Sequence, residues 1–124
     1  MSAQLFVVAT PIGHLDDMTY RAIETLKSVS LVAAEDTRQS AQLFKHYNIT
    51  TPLTACHDHN ENHKINELIQ RLKAGENIAL ISDAGTPLIS DPGFKLVRAA
   101  QEHKIRVVPV PGACAAVAAL SAVG

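Results

Sequence analysis

The chain has 124 residues, 47% of them hydrophobic and 19% charged, with 11 Lys and Arg against 12 Asp and Glu. Independent domains run to about 100–200 residues, so this length supports one hydrophobic core and not two. A formal net charge of −1 excludes a protein that grips nucleic acid or a membrane surface through bulk positive charge, and any such contact must use a local patch.

Leu5 to Ala9 is a short apolar run without polar alternation, as expected of a strand buried on both faces. A helix is predicted from about Met18, with Asp17 as N-cap and Ile23, Leu26 and Val29 on its apolar face. Leu31 to Ala34 reads as the second strand, and Asp36 can cap a helix over Thr37 to Tyr47 with Ala41, Phe44 and Tyr47 as its stripe. Leu53 to Cys56 is a short third strand. The clearest helix is Asn60 to Ala74, where Ile65, Leu68, Ile69 and Leu72 follow the helical period, Asn60 can cap, and Gly75 stands at the C′ position. Asn77 to Ile81 and Ile105 to Val110 are the fourth and fifth strands, with a loop and a helix over Pro92 to His103 between them. An Ala-rich helix follows Pro111-Gly112 and runs to Gly124. Strands alternating with helices five times predict an α/β fold around a five-stranded, mostly parallel sheet.

Cys56 and Cys114 have no paired spacing, so neither a disulfide framework nor a cysteine zinc site is expected, and the compartment is a reducing one. The N-terminus has no basic segment before its apolar run, which points to a cytoplasmic protein. Val107 to Gly124 is uncharged but contains Pro109, Pro111 and Gly112 and is rich in Ala, so no membrane span is expected.

Ligands of parallel α/β sheets bind beyond the carboxyl ends of the strands, which directs attention to five loops. Thr10-Pro11-Ile12-Gly13-His14 lies where a phosphate-binding turn would, but lacks both the G-x-G-x-x-G spacing and a G-K-[ST] ending. Glu35-Asp36-Thr37-Arg38 offers carboxylates that can accept a proton and a guanidinium that can grip phosphate; helix capping by Asp36 and a solvated Arg38 are the alternative. His57-Asp58-His59-Asn60-Glu61-Asn62-His63 holds three imidazoles. A cap at Asn60 would leave His59 off the helix that carries His63, so no metal is expected. Ser82 to Gly93 is longer than a strand-to-helix connection needs. Its Gly, Pro, Asp, Ser and Thr residues suit close approach to a ligand, and a structural loop is the alternative. Pro111-Gly112-Ala113-Cys114 combines a rigid turn with small side chains, and Cys114 reads as a packing residue rather than a nucleophile.

The segments LFVVATPIGHLDDMT, VAAEDTRQS, HDHNE, LISDAGTPLISDPG and VVPVPGACAAVAAL, in this order, resemble the tetrapyrrole methylase family of S-adenosylmethionine-dependent enzymes. Asp-Ala-Gly-Thr-Pro is similar to the branch that methylates ribosomal RNA. The resemblance implies a five-stranded sheet sandwiched by helices, with residues 1–124 forming the N-terminal half of a two-domain methyltransferase and S-adenosyl-L-methionine lying between the halves. It assigns the cofactor loop to Asp83, Gly85, Thr86, Pro87, Leu88, Ile89 and Ser90, and the cofactor turn to Pro111, Gly112, Ala113 and Cys114. Thr86 departs from the Asp of the porphyrin-type members. Pro11, Gly13, Arg38, Asn60 and Lys64 are the expected substrate contacts, and Glu35, Asp36, His57 and His59 are unranked candidates for the base.

The implied reaction is 2′-O-ribose methylation of a cytidine in 16S rRNA of the small ribosomal subunit. A homodimer is expected for the full-length protein, and the 124-residue chain alone is expected to be inactive. The alternatives are a tetrapyrrole methyltransferase domain and a non-enzymatic nucleotide- or phosphate-binding module.

Overall fold

A computed structural model describes residues 3–56, 61–82, 85 and 93–123, with Glu61, Gly93 and Phe94 described by their backbone alone. Five strands, β1 (Gln4–Val8), β2 (Leu31–Ala34), β3 (Leu53–Ala55), β4 (Ile78–Ile81) and β5 (Arg106–Val110), alternate with five helices. The helices are α1 (Tyr20–Ser28), α2 (Thr37–His46), α3 (Glu61–Lys73), α4 (Gly93–Glu102) and α5 (Ala115–Val123). The strands form one sheet in the order β3-β2-β4-β1-β5, and every pairing between them is parallel. The expected α/β architecture is the one observed.

The apolar runs dictate where each strand sits. All four residues of β2 and of β4 are buried, as required of inner strands covered on both faces. β5 contains Pro109, which has no N–H to give to a second neighbour, and it occupies an edge beside β1. One face of the sheet carries Leu5, Ile78 and Leu80 against Leu68 and Leu72 of α3 and Leu96 and Ala100 of α4. The other carries Val8, Val32 and Ile81 against Ala22 and Leu26 of α1 and Leu43 and Phe44 of α2.

Strand order and helix placement together define a switch point. From β1 the chain steps through β2 to β3 at one edge, then returns to β4 beside β1 and continues to β5 at the other edge. The chain leaving β1 therefore runs to α1 on one face, while the chain leaving the adjacent β4 runs to α4 on the other. Diverging connections of this kind open a crevice beyond the strand ends.

Two local expectations need correction. The N-cap of α1 is Thr19 rather than Asp17: its side chain accepts from Ala22 N–H, and the helix begins at Tyr20. Met18 then lies before the helix and is buried against its apolar face, so the apolar pattern extends one turn ahead of the helical backbone. On α2 the buried stripe is Ser40, Leu43 and Phe44, and Ala41 points to solvent. The hydroxyl of Ser40 turns back to the Asp36 carbonyl and so can be buried. The caps expected at Asp36 and Gly75 are observed. Asp36 accepts from Arg38 N–H at 2.9 Å, and Gly75 has φ +98°, a left-handed conformation that ends α3 at little steric cost. Asn60 lies outside the described residues.

Helix α5 has no buried residue, and Val117, Leu120 and Val123 are exposed. No helix among the described residues is long and apolar enough to cross a membrane. The contrast between two leucines tests the core assignment. Leu68→Ala removes a fully buried side chain and is expected to lower the unfolding free energy of the chain by about 2–5 kcal/mol. Leu120→Ala, at a position 68% exposed, is expected to change it by less than about 0.5 kcal/mol. Urea unfolding followed by circular dichroism distinguishes the two.

Candidate functional site

Past the end of β1, Thr10 and Gly85 exchange two backbone hydrogen bonds, Thr10 N–H to the Gly85 carbonyl at 2.9 Å and Gly85 N–H to the Thr10 carbonyl at 3.0 Å. The bridge is antiparallel and ties the two connections that diverge at the switch point. The Ser82 hydroxyl also donates to the Gly85 carbonyl, at 3.3 Å. Thr10, Ser82 and Gly85 are all buried, so these bonds exchange in place of water. Gly85 has φ +76°, and a Cβ at that position would lie 3.1 Å from Ile12 Cγ2 and 3.5 Å from the Ala113 carbonyl. The loops after β1, β4 and β5 thus meet around one glycine.

A second close approach fixes the turn after β5. Ala9 N–H donates to the Val110 carbonyl at 3.2 Å, and a Cβ on Gly112 would fall 2.9 Å from Ala9 Cβ. Only a residue without a side chain lets the Pro111-Gly112 turn lie this close to the end of β1.

Two clefts flank the β1–α1 loop. One, of about 450 Å³, lies between the segment Asp16 to Thr19 and Gly112, Ala113 and Cys114, with Ala118 of α5 and Ile12 completing it. The other, of about 380 Å³, lies between the segment Thr10 to Leu15 and the Gln39, Ser40, Gln42 and Leu43 face of α2, floored by Ile81 and Ser82. Ile12 belongs to both. The loop is pinned to the far end of α2, where the Tyr47 hydroxyl donates to the Leu15 carbonyl and His46 Nε2 stands 3.9 Å from Asp16. Burial, reinforced by the carboxylates of Asp16 and Asp17, holds the Tyr47 phenol above its ordinary pKa.

The structure thus brings together Pro11, Gly13, Gly85, Pro111, Gly112, Ala113 and Cys114 in the three meeting loops. Glu35 follows β2 and is exposed. Asp36 caps α2, and its carboxyl is held below the ordinary value chiefly by the Arg38 N–H and then by the Arg38 guanidinium, whose Nε lies 3.4 Å away. That hydrogen bonding makes it a weaker base. The Arg38 side chain is 92% exposed. Lys64 pairs with Glu67 on α3 at 3.1 Å and lines neither cleft. His57, His59, Asp83, Thr86, Pro87, Leu88, Ile89 and Ser90 lie outside the described residues. Sequence reasoning gave no individual role to Ile12, Gln39 or Gln42, although Ile12 lies in one of the five loops. Thr10 has a signal in hindsight: it is a polar residue continuing a buried strand, where its N–H and C=O still need partners.

Residues 4–124 match the family of tetrapyrrole (corrin/porphyrin) methylases. The chain belongs to this family. It is 67% identical over 120 residues to a protein of Pseudomonas aeruginosa named ribosomal RNA small subunit methyltransferase I, covering 97% of this chain and 43% of that protein. A protein of the same name from Escherichia coli O157:H7 is 58% identical over 121 residues, covering 98% of this chain and 42% of that protein. The chain therefore spans less than half the length of these relatives. Among solved structures, uroporphyrin-III-C-methyltransferase from Thermus thermophilus aligns with a TM-score of 0.73 at 22% identity, over 100% of this chain and 54% of that one. At that identity the likeness shows the fold.

The approach of Gly112 to Ala9 gives a direct test of the loop geometry. Gly112→Ala is expected to lower the unfolding free energy by about 1–3 kcal/mol through overpacking, and adding Ala9→Gly is expected to recover part of that loss. Equal stability of Gly112→Ala and the parent chain in urea titration would show that the turn does not press on β1.

Proposed function

We propose that this chain is the N-terminal domain of an S-adenosylmethionine-dependent methyltransferase that methylates the 2′-hydroxyl of a cytidine in small-subunit rRNA. The observation that carries the reading is the 67% and 58% identity, over nearly the whole chain, to two proteins named for small-subunit rRNA methylation. The second half of the cofactor site is assigned to the part of the protein that those relatives have beyond this match.

The cleft beside Gly112 and Ala113 suits the cofactor. Its small residues leave backbone open to a flat adenine ring, and its volume falls within the range of about 300–1,000 Å³ usual for small-molecule sites. Asp16 and Asp17 on its rim are the right sign for a sulfonium cation. When bound, S-adenosylmethionine supplies an electrophilic methyl group. The chain's own contribution is positioning: the Thr10–Gly85 bridge and the Gly112 turn hold the cleft walls in fixed relation, which favours near-attack geometry. Of the candidate bases, Asp36 is the weakest because its carboxylate is already engaged at the start of α2. Glu35, His57 and His59 remain the candidates for accepting the hydroxyl proton. Arg38, whose side chain extends into solvent, is assigned to RNA phosphate. The full-length protein is proposed to be a homodimer. The exposed apolar residues of α5 support a covering surface there, from the rest of the protein or from a second copy.

Calorimetric titration of S-adenosylhomocysteine into the 124-residue chain and into the full-length protein tests this reading. Binding by the full-length protein alone is the expected result. Submicromolar binding by the short chain would refute a site split between two domains, and binding by neither would refute the cofactor assignment.

A further inference from the structure

The cofactor turn leads to the cleft beside Gly112, whereas the second cleft, between the β1–α1 loop and α2, carries the expected substrate contacts Pro11 and Gly13 with no part of the substrate yet assigned to it. We propose that this second cleft receives the base of the acceptor nucleotide, with Gln39 and Gln42 binding the hydrogen-bonding edge of that base. The inference rests on the RNA-methylation reading and names the part of the site that takes the substrate.

The chemistry of the lining supports a base more than a phosphate or a metal. Among the described residues that line it, His14 is the one titratable side chain, and the remainder is apolar, hydroxyl or amide. Leu43 and Ile81 are buried beneath the cleft, and Ile12 forms a wall, so a flat ring gains apolar contact on its faces. A base edge presents donors and acceptors side by side in one plane. A primary amide carries both kinds of group at a planar end and can pair with such an edge at two points. Gln39 and Gln42 are three residues apart on α2 and therefore share a face. Both are exposed at the lip, and neither side chain hydrogen-bonds to a described residue.

Position supports the same conclusion. Sequence-specific RNA recognition reads unstacked bases by their edges, and holding the base fixes the position of the ribose attached to it. A base in this cleft and a methyl donor in the neighbouring one lie on either side of Ile12, which lines both. The reacting ribose then belongs at the junction between them. Arg38, one residue before Gln39 and 92% exposed, is placed to meet an adjoining phosphate.

The test uses the full-length protein, small ribosomal subunits as acceptor and labelled S-adenosylmethionine as donor. Alanine is the best helix former, so Gln39→Ala/Gln42→Ala at two exposed positions of α2 retains the fold. The expected result is a 10- to 100-fold fall in kcat/KM for the RNA, with S-adenosylhomocysteine affinity unchanged within twofold. On RNA transcripts carrying each base at the target position, the parent enzyme's preference among the four bases is also expected to fall at least tenfold in the variant. A purely structural role for the two amides would not move that preference. Transfer by the parent enzyme with unchanged kcat/KM and base preference in the variant would overturn this inference alone. Absence of transfer to any RNA by the parent enzyme would overturn the RNA reading, and this inference with it.

Discussion

The pair of hydrogen bonds between Thr10 and Gly85 is the constraint on which the functional end of the molecule depends. β1 and β4 lie side by side, yet the chain leaving each goes to a different face of the sheet. Without a tie, the two connections would separate as soon as the strand ladder ended. The bridge extends the pairing past the strand ends and holds Gly85, in a left-handed conformation with φ +76°, beside Thr10. Because a Cβ on Gly85 would press on Ile12 and meet the Ala113 carbonyl, one position without a side chain lets three loops lie close together.

The two clefts follow from that spacing. The β1–α1 loop stands between them as a partition, braced at its base by the bridge and at its far side by Tyr47 and His46 at the end of α2. The contribution of these bracing groups is to rigidity. Methyl transfer from a sulfonium requires little covalent help from a protein and a great deal of alignment. Among the described residues, a site built mostly of backbone, glycine and small side chains, with Asp36 engaged in capping and Asp16 and Asp17 at the rim, suits the proposed methyl transfer.

Much of the fold was legible in the sequence because strand burial and helix period are local properties. The unbroken apolar runs of β2 and β4 mark inner strands, and Leu68, Ile69 and Leu72 mark the face of α3. Capping was legible where a single residue type decides it, as at Asp36 and Gly75, and was misread at α1, where Asp17 and Thr19 compete. Thr19 prevails because Met18 is drawn into the core ahead of the helix. The site was legible only in part. Glycines and prolines flagged the loops that approach one another at Gly85, but the meeting of Thr10 with Gly85, 75 residues apart, is a product of strand order, which periodicity does not encode. Gln39 and Gln42 were invisible for the opposite reason: exposed amides on a helix are unremarkable until the loop facing them is in place.

The most direct measurement of the central claim is native-state amide hydrogen exchange at Thr10 and Gly85. If the bridge is an integral extension of the sheet, both amides exchange within about tenfold of Leu80 in β4, and they do so without ligand, because the opening that exposes them is the opening of the sheet itself. Exchange at the rate of an unstructured loop, with protection confined to β1 and β4, would contradict it. The three loops would then converge only when something else holds them.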